Sequence, residues 1–115
     1  MFSHAICIDF EATCYDKLEK PPIGWQPEII EFPAVLIDLQ NGNILSEFHK
    51  FVRPTETPEI SKFCRKFLHL EDRQFEDEDI LEEVIKDFRI WERVQLEVYH
   101  QNFYVFSNQK LNPIS

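Results

Sequence analysis

An Asn-Gly pair at positions 41–42 sits between two apolar, β-branched runs. Asn and Gly tolerate the positive φ that a tight turn needs, so this pairing is the strongest short-range signal for two antiparallel strands. The run before it, Glu28-Ile29-Ile30-Glu31-Phe32-Pro33-Ala34-Val35-Leu36-Ile37-Asp38, is rich in residues that suit a pleated, buried surface. Pro33 has no N–H to give a ladder, so a bulge is expected there. The run after the turn, Ile44 to Arg53, returns as the partner strand, and Pro54 stops it.

Further elements frame this hairpin. Residues 4–10 form an apolar run that reads as a buried strand, and residues 15–27 read as a polar loop with prolines at 21, 22 and 27. Glu59 to Phe67 predicts a short helix, because Ile60, Phe63, Cys64 and Phe67 fall at i, i+3, i+4 and i+7. Residues 71–79 are acidic and expected to be exposed. A longer helix is expected over 78–93, with Ile80, Leu81, Val84, Ile85, Phe88 and Trp91 on one stripe and Glu82, Glu83 and Lys86 off it. Asn102 to Ser107 reads as a fourth strand. The order strand, hairpin, helices, strand predicts an α/β sheet with the first strand central and the last beside it.

Composition narrows the function. The chain has 115 residues, a one-domain length, and its 43% hydrophobic content with 11 Phe can fill a core. No apolar run approaches the ~18 residues of a membrane-spanning helix, and no secretory leader is visible. Cys7, Cys14 and Cys64 are odd in number and contain no C-x-x-C pair, which argues against a zinc ribbon or thioredoxin-type site and for reduced, buried thiols in an intracellular protein. The net charge of −9 argues against a long nucleic-acid footprint, since such surfaces are normally basic. An acidic chain can still act on nucleic acid where cations neutralise its carboxylates and only a strand end enters a cleft.

Chemistry is suggested at Asp9-Phe10-Glu11-Ala12-Thr13. Side chains of a strand alternate, so Asp9 and Glu11 point to one face and Phe10 to the other. Their stems lie about 6.5–7 Å apart along the strand. That spacing suits divalent ions about 3.5–4 Å apart, the separation of two-metal phosphoryl chemistry. Ala12 and Thr13 are small and leave room for a substrate against the backbone.

Four blocks in order, Asp9-Phe10-Glu11-Ala12-Thr13-Cys14, Glu28-Ile29-Ile30-Glu31-Phe32-Pro33, Phe51-Val52-Arg53-Pro54 and Ser61-Lys62-Phe63-Cys64, resemble the DnaQ-like, DEDDh-type 3′–5′ exonucleases. The branch they resemble is the histone-mRNA exonuclease and enhancer-of-RNA-interference group, over residues 4–91. The resemblance implies a ribonuclease-H-like mixed sheet with flanking helices, and hydrolysis of single-stranded RNA from its 3′ end with two Mg²⁺ (or Mn²⁺) ions. It implies that Asp9 and Glu11 bind metal and are catalytic, that Glu11 orients the attacking water, and that the backbone around Ala12 and Thr13 meets the terminal nucleotide. A cytoplasmic or nuclear location follows from the same resemblance.

The pattern departs from the family toward the C-terminus. The family's second motif needs an aspartate on a strand after the long helix, yet no Asp or Glu follows Glu97. Asn108, Gln109 and Lys110 stand where that acid is needed. His100 has Val105, not Asp, five residues on, and Phe67-Leu68-His69-Leu70 replaces a Leu-Thr-Gly-Ile turn. The expectation is therefore a C-terminally incomplete fold, with residues 1–107 a partial exonuclease domain and 108–115 a frayed tail. Metal affinity and activity of the chain alone are expected to be weak or absent. The alternative reading is a non-catalytic protein- or RNA-binding module, whose acidic helix face (Glu76, Asp77, Glu78, Asp79, Glu82, Glu83) or exposed sheet edge meets a protein.

Overall fold

A computed structural model of the chain describes residues 2–56, 60–69, 75–100 and 103–108. The elements, in chain order, are β1 (His4–Ile8), β2 (Glu11–Ala12), β3 (Ile29–Asp38), β4 (Ile44–Phe51), α1 (Lys62–Leu68), α2 (Leu81–Tyr99) and β5 (Phe103–Ser107). They build one mixed sheet. β3 pairs antiparallel with β4 along one edge and with β1 and β2 along the other, and β5 lies parallel beside β1. The first strand is thus internal and the last flanks it, as the element order implied.

The hairpin forms where Asn-Gly places it. Gly42 takes φ +76°, a left-handed value open to Gly without a Cβ clash, and the Gly42 N–H donates to the Asp38 carbonyl at 2.8 Å. The expected bulge at Pro33 is absent. Pro33 stays in register opposite His49, and the β3–β4 register shifts between Leu36 and Ile37 instead, next to the turn. Pro33 acts on the other edge. Its carbonyl accepts from the Asp9 N–H at 3.3 Å, but having no N–H it cannot return a bond to Asp9. The regular ladder of β1 therefore ends at Ile8, short of the expected residue 10, and resumes at Glu11 opposite Glu31.

Alternation along β3 separates a core face from an open one: Phe32, Ala34 and Leu36 are buried, while Glu31, Pro33 and Val35 are partly exposed. The buried face joins Ile6, Ile8 and Phe10 and is covered by Val84 and Phe88 of α2. Phe88 lies within ring contact of Phe32, Phe48 and Trp91, with centroids 5.0, 5.7 and 5.8 Å away. The Trp91 Nε1–H donates to Ser46 Oγ at 3.1 Å, tying the middle of α2 to β4. A smaller cluster of Ile30, Cys64 and Phe75 gathers Cys14, Phe51, Ile60 and Leu68 around it.

The helices differ from expectation at their ends. α1 begins at Lys62 because Ser61 caps it: its Oγ accepts from the Cys64 N–H at 3.0 Å and donates to the Cys14 carbonyl at 2.6 Å. α2 runs to Tyr99, six residues past the expected Arg93. Its buried stripe continues to Gln95, Tyr99 lies against the His4 ring, and no helix breaker intervenes before His100 turns left-handed at φ +52°. His69 closes α1 the same way at φ +56°, a conformation that costs a non-glycine residue about 1 kcal/mol. That is the position where the family turn carries its Gly. The acidic segment 71–79 lies outside the described residues at 71–74, as does the tail at 109–115; of the remainder, Glu76, Asp77 and Asp79 are exposed as expected, whereas Phe75 is buried. Asn108 is not frayed: its N–H donates to the Ile8 carbonyl and its side chain is engaged. No helix among the described residues is long and apolar enough to cross a membrane.

Candidate active site

The two carboxylates project from the sheet as strand alternation requires. Phe10 between them is 2% exposed and meets Phe32 edge-on at 4.6 Å, whereas Asp9 is exposed and Glu11 half-buried. Glu11 faces Glu31 across the β2–β3 pair, and Glu31 Oε1 bonds His49 Nε2 at 2.7 Å. Burial first, then the charges of Asp9 and Glu31, push the Glu11 carboxyl above the ordinary value of 4.5. The site is therefore an acidic patch of three carboxylates on one face of the sheet, with a histidine at its border. Glu31 was legible only as a polar residue inside an apolar run; its role as neighbour of Glu11 comes from the register.

Ala12 and Thr13 follow at once. Ala12 is half-buried, and its carbonyl accepts from Cys64 Sγ at 3.8 Å. Thr13 is 3% exposed, its N–H donates to the Glu28 carbonyl at 2.8 Å, and its Oγ1 accepts from the Glu28 N–H at 2.9 Å. The Thr13 N–H and one lone pair of its hydroxyl thus hold the start of β3. Glu28 in turn accepts the Thr55 and Glu56 N–H groups on its carboxylate at 2.8 and 2.9 Å, so one residue pins two loops beside the site. Thr13→Val keeps the shape but strands the Glu28 N–H. It is expected to lower the unfolding free energy by about 1–3 kcal/mol, measured by urea titration.

Two of the thiols belong to the smaller cluster, Cys64 within it and Cys14 packed against it. Burial, followed by the bond with Cys64, pushes the Cys14 thiol up to about 12. A thiol held protonated in this way is a poor nucleophile. Of the three free thiols, Cys64 is buried as expected, whereas Cys7 and Cys14 are partly exposed. His100 closes α2 before β5, at the strand end opposite Asn108, and so stands apart from the carboxylates.

Asn108 is the residue the sequence led one to discount. Its Nδ2 donates to Asp9 Oδ1 at 2.7 Å and to the Phe10 carbonyl at 2.9 Å, and its Oδ1 accepts from the Phe10 N–H at 2.8 Å. Gln109 and Lys110, named with it above, lie outside the described residues. Asp9 and Glu11 are oxygen donors of the type that hold Mg²⁺, which binds through one or two carboxylates with water and substrate phosphate completing its shell. Among the described residues, however, no group of three His, Cys, Asp or Glu is placed to hold a metal ion. The donor set fits one edge of a single-ion site and falls short of two ions.

Comparison with known proteins supplies the context. The exonuclease family model RNase_T matches residues 6–112. The chain is 38% identical over 95 residues to the 3′–5′ exonuclease Snipper of Drosophila melanogaster, covering 83% of this chain and 34% of that protein. It is 41% identical over 90 residues to ERI1 exoribonuclease 2 of Xenopus laevis, covering 78% of this chain and 12% of that protein. Among solved structures, the nuclease domain of 3′hExo, a DEDDh family member bound to rAMP, superposes with a TM-score of 0.82 at 26% identity, over 98% of this chain and 56% of that one. A 3′-exonuclease in a structure of 3′-end-specific recognition of histone mRNA stem-loop gives 0.81 at 27% identity, over 95% and 47%. The chain thus spans about a third or less of these curated relatives and about half of each solved chain.

Proposed function

This chain belongs to the RNase_T exonuclease family, with relatives that are 3′–5′ exoribonucleases and a ribonuclease-H-like DEDDh fold, and from that membership we propose that it acts on the 3′ end of single-stranded RNA, with Asp9 and Glu11 as the carboxylates at the scissile phosphate. The observation that carries this reading is their projection from one sheet face on either side of buried Phe10. Relatives of the same fold are captured with rAMP and with a histone mRNA stem-loop, which favours RNA as the substrate class.

Asp9 and Glu11 are the residues that would hold a divalent cation, Mg²⁺ or Mn²⁺. When bound, such an ion supplies charge neutralisation and Lewis acidity at a phosphate. What the chain's own residues do is narrower. Phe10 anchors the strand so that both carboxylates stay in place. Half-buried Glu11, its proton affinity raised by burial and its neighbours, is placed to orient a water at the phosphate. Ala12 offers a surface without bulk to the terminal nucleotide. The net charge of −9 limits the encounter to a strand end, because a longer backbone would be repelled. The described residues furnish the first-motif half of such a site, so slow turnover is expected from them alone.

The test uses single-stranded RNA labelled at its 5′ end, with Mg²⁺ or Mn²⁺. A ladder shortening one nucleotide at a time from the 3′ end is expected. Internal cuts would overturn the exonuclease assignment. A second reading, a non-catalytic module that holds RNA 3′ ends or a protein, is favoured by Asn108 on Asp9 and by the exposed side chains of Tyr104, Val105 and Phe106 on β5. Retention of RNA without any shortening would select it.

A further inference from the structure

Asp9 and Phe10 cross a stretch of sheet where the ladder fails on both sides. Toward β3, Pro33 accepts from Asp9 but cannot return a bond. Toward β5, the strand ends at Ser107, level with Ile8, so nothing in the regular ladder reaches the N–H and C=O of Phe10. Buried backbone groups are seldom left unpaired. The Asn108 side chain fills the gap, because a carboxamide carries the same donor and acceptor as a peptide and can extend a strand by one rung. Its orientation is dictated by its partners, since the Phe10 N–H needs an oxygen and the Phe10 carbonyl needs an NH₂. The second hydrogen of that NH₂ then falls on Asp9 Oδ1 at 2.7 Å.

We propose that Asn108 is the positioning residue of this site, a carboxamide clamp that holds the Asp9-Phe10-Glu11 segment extended and occupies Asp9 with an N–H where a cation would otherwise sit. The clamp ties the end of β1 and the Asp9–Phe10 link that follows it to the end of β5 through four bonds: the Asn108 N–H to the Ile8 carbonyl at 3.3 Å and the three made by its side chain. An amide NH₂ brings only a partial positive charge to Asp9, enough to orient the carboxylate without neutralising it. A cation binding there must displace Nδ2 from Oδ1 or share the remaining lone pairs of Asp9. The clamp therefore stabilises the metal-free arrangement and weakens cation binding together. This deepens the reading of Asp9 and Glu11 as cation ligands and rests on it for the second of those effects.

Three variants of the full chain and two measurements test it. Amide hydrogen exchange by NMR follows the clamp directly. In Asn108→Ala, exchange at the Phe10 N–H should rise about tenfold or more while the Asp9 N–H, which donates to Pro33, keeps its protection. In Asn108→Asp, the carboxylate can still accept from Phe10, so that protection should persist. Mn²⁺ titration followed by EPR reads the cation. Asn108→Asp replaces the donor on Asp9 with a third carboxylate and should bind Mn²⁺ about tenfold or more tightly than wild type. Unchanged Phe10 exchange in Asn108→Ala, or equal acceleration at Asp9 and Phe10, would overturn the clamp as a local device. Unaltered Mn²⁺ affinity in Asn108→Asp would overturn its effect on the cation. Wild-type Mn²⁺ binding that is indifferent to Asp9→Asn would instead fell the ligand reading, while the exchange result at Phe10 still stood.

Discussion

Phe88→Ala is expected to remove about 3–5 kcal/mol of unfolding free energy, a large fraction of the roughly 5–15 kcal/mol that a domain commonly has. Phe88 is 0% exposed and is the piece of α2 that enters the sheet, against Phe32, Phe48 and Trp91. Truncation loses the transfer free energy of a ring and leaves a cavity that three other rings cannot all collapse into. The midpoint of thermal unfolding should fall by about 10–20 °C. The same truncation at Ile90, 64% exposed on the same helix, should leave the midpoint unchanged. Calorimetry of the two variants side by side separates burial from helix propensity. Equal losses at both positions would mean that α2 does not seat on the sheet through Phe88.

Replacing both carboxylates, Asp9→Asn with Glu11→Gln, should lower any 3′ trimming by about a thousandfold or more, since groups acting as one unit fail together. The fold should respond in the opposite direction. Burial and two neighbouring acids raise the Glu11 carboxyl above 4.5 in the folded chain. The folded state then binds its proton more tightly than the unfolded state, and ionised Glu11 opposes folding at neutral pH. Glu11→Gln alone should therefore raise the melting temperature at pH 7 without divalent ions. That gain should shrink as the pH falls through the raised value and vanish below 4.5, where the carboxyl is protonated in both states. Lost trimming with raised stability marks a site whose charge serves something other than folding. Lost trimming with lost stability would make the pair structural.

The two outcomes have different roots in the chain. The seat of Phe88 was legible beforehand, because Val84, Phe88 and Trp91 recur at helical spacing and Phe32, Ala34 and Leu36 recur at strand spacing. The hairpin was equally legible from Asn41-Gly42. Helix ends were less so. α2 outruns its expected limit because Gln95 is buried and Tyr99 lies against His4, and α1 starts where the Ser61 hydroxyl can reach both Cys64 and Cys14. The bulge expected at Pro33 was misplaced because a missing N–H matters only on the edge it faces. That edge proved to be the one beside Asp9.

Thr13 carries the same lesson at the site itself. Its small size suggested room for a substrate, and only the fold shows that its N–H donates to, and its hydroxyl accepts from, the backbone of Glu28, fifteen residues away in the chain. Asp9 and Glu11 are on one face by the geometry of a strand, and no tertiary contact is needed to say so. Local periodicity could reach that far, because it is a property of a few adjacent residues and their backbone dihedrals. The nearest partners of those carboxylates are another matter. Glu31 sits opposite Glu11 only because β2 and β3 pair in that register, and Asn108 reaches Asp9 across 99 positions only because β5 docks in parallel beside β1. Strand order and register are settled by burying one shared core, and that global condition turned an asparagine standing where an acid was wanted into the clamp of the carboxylate pair.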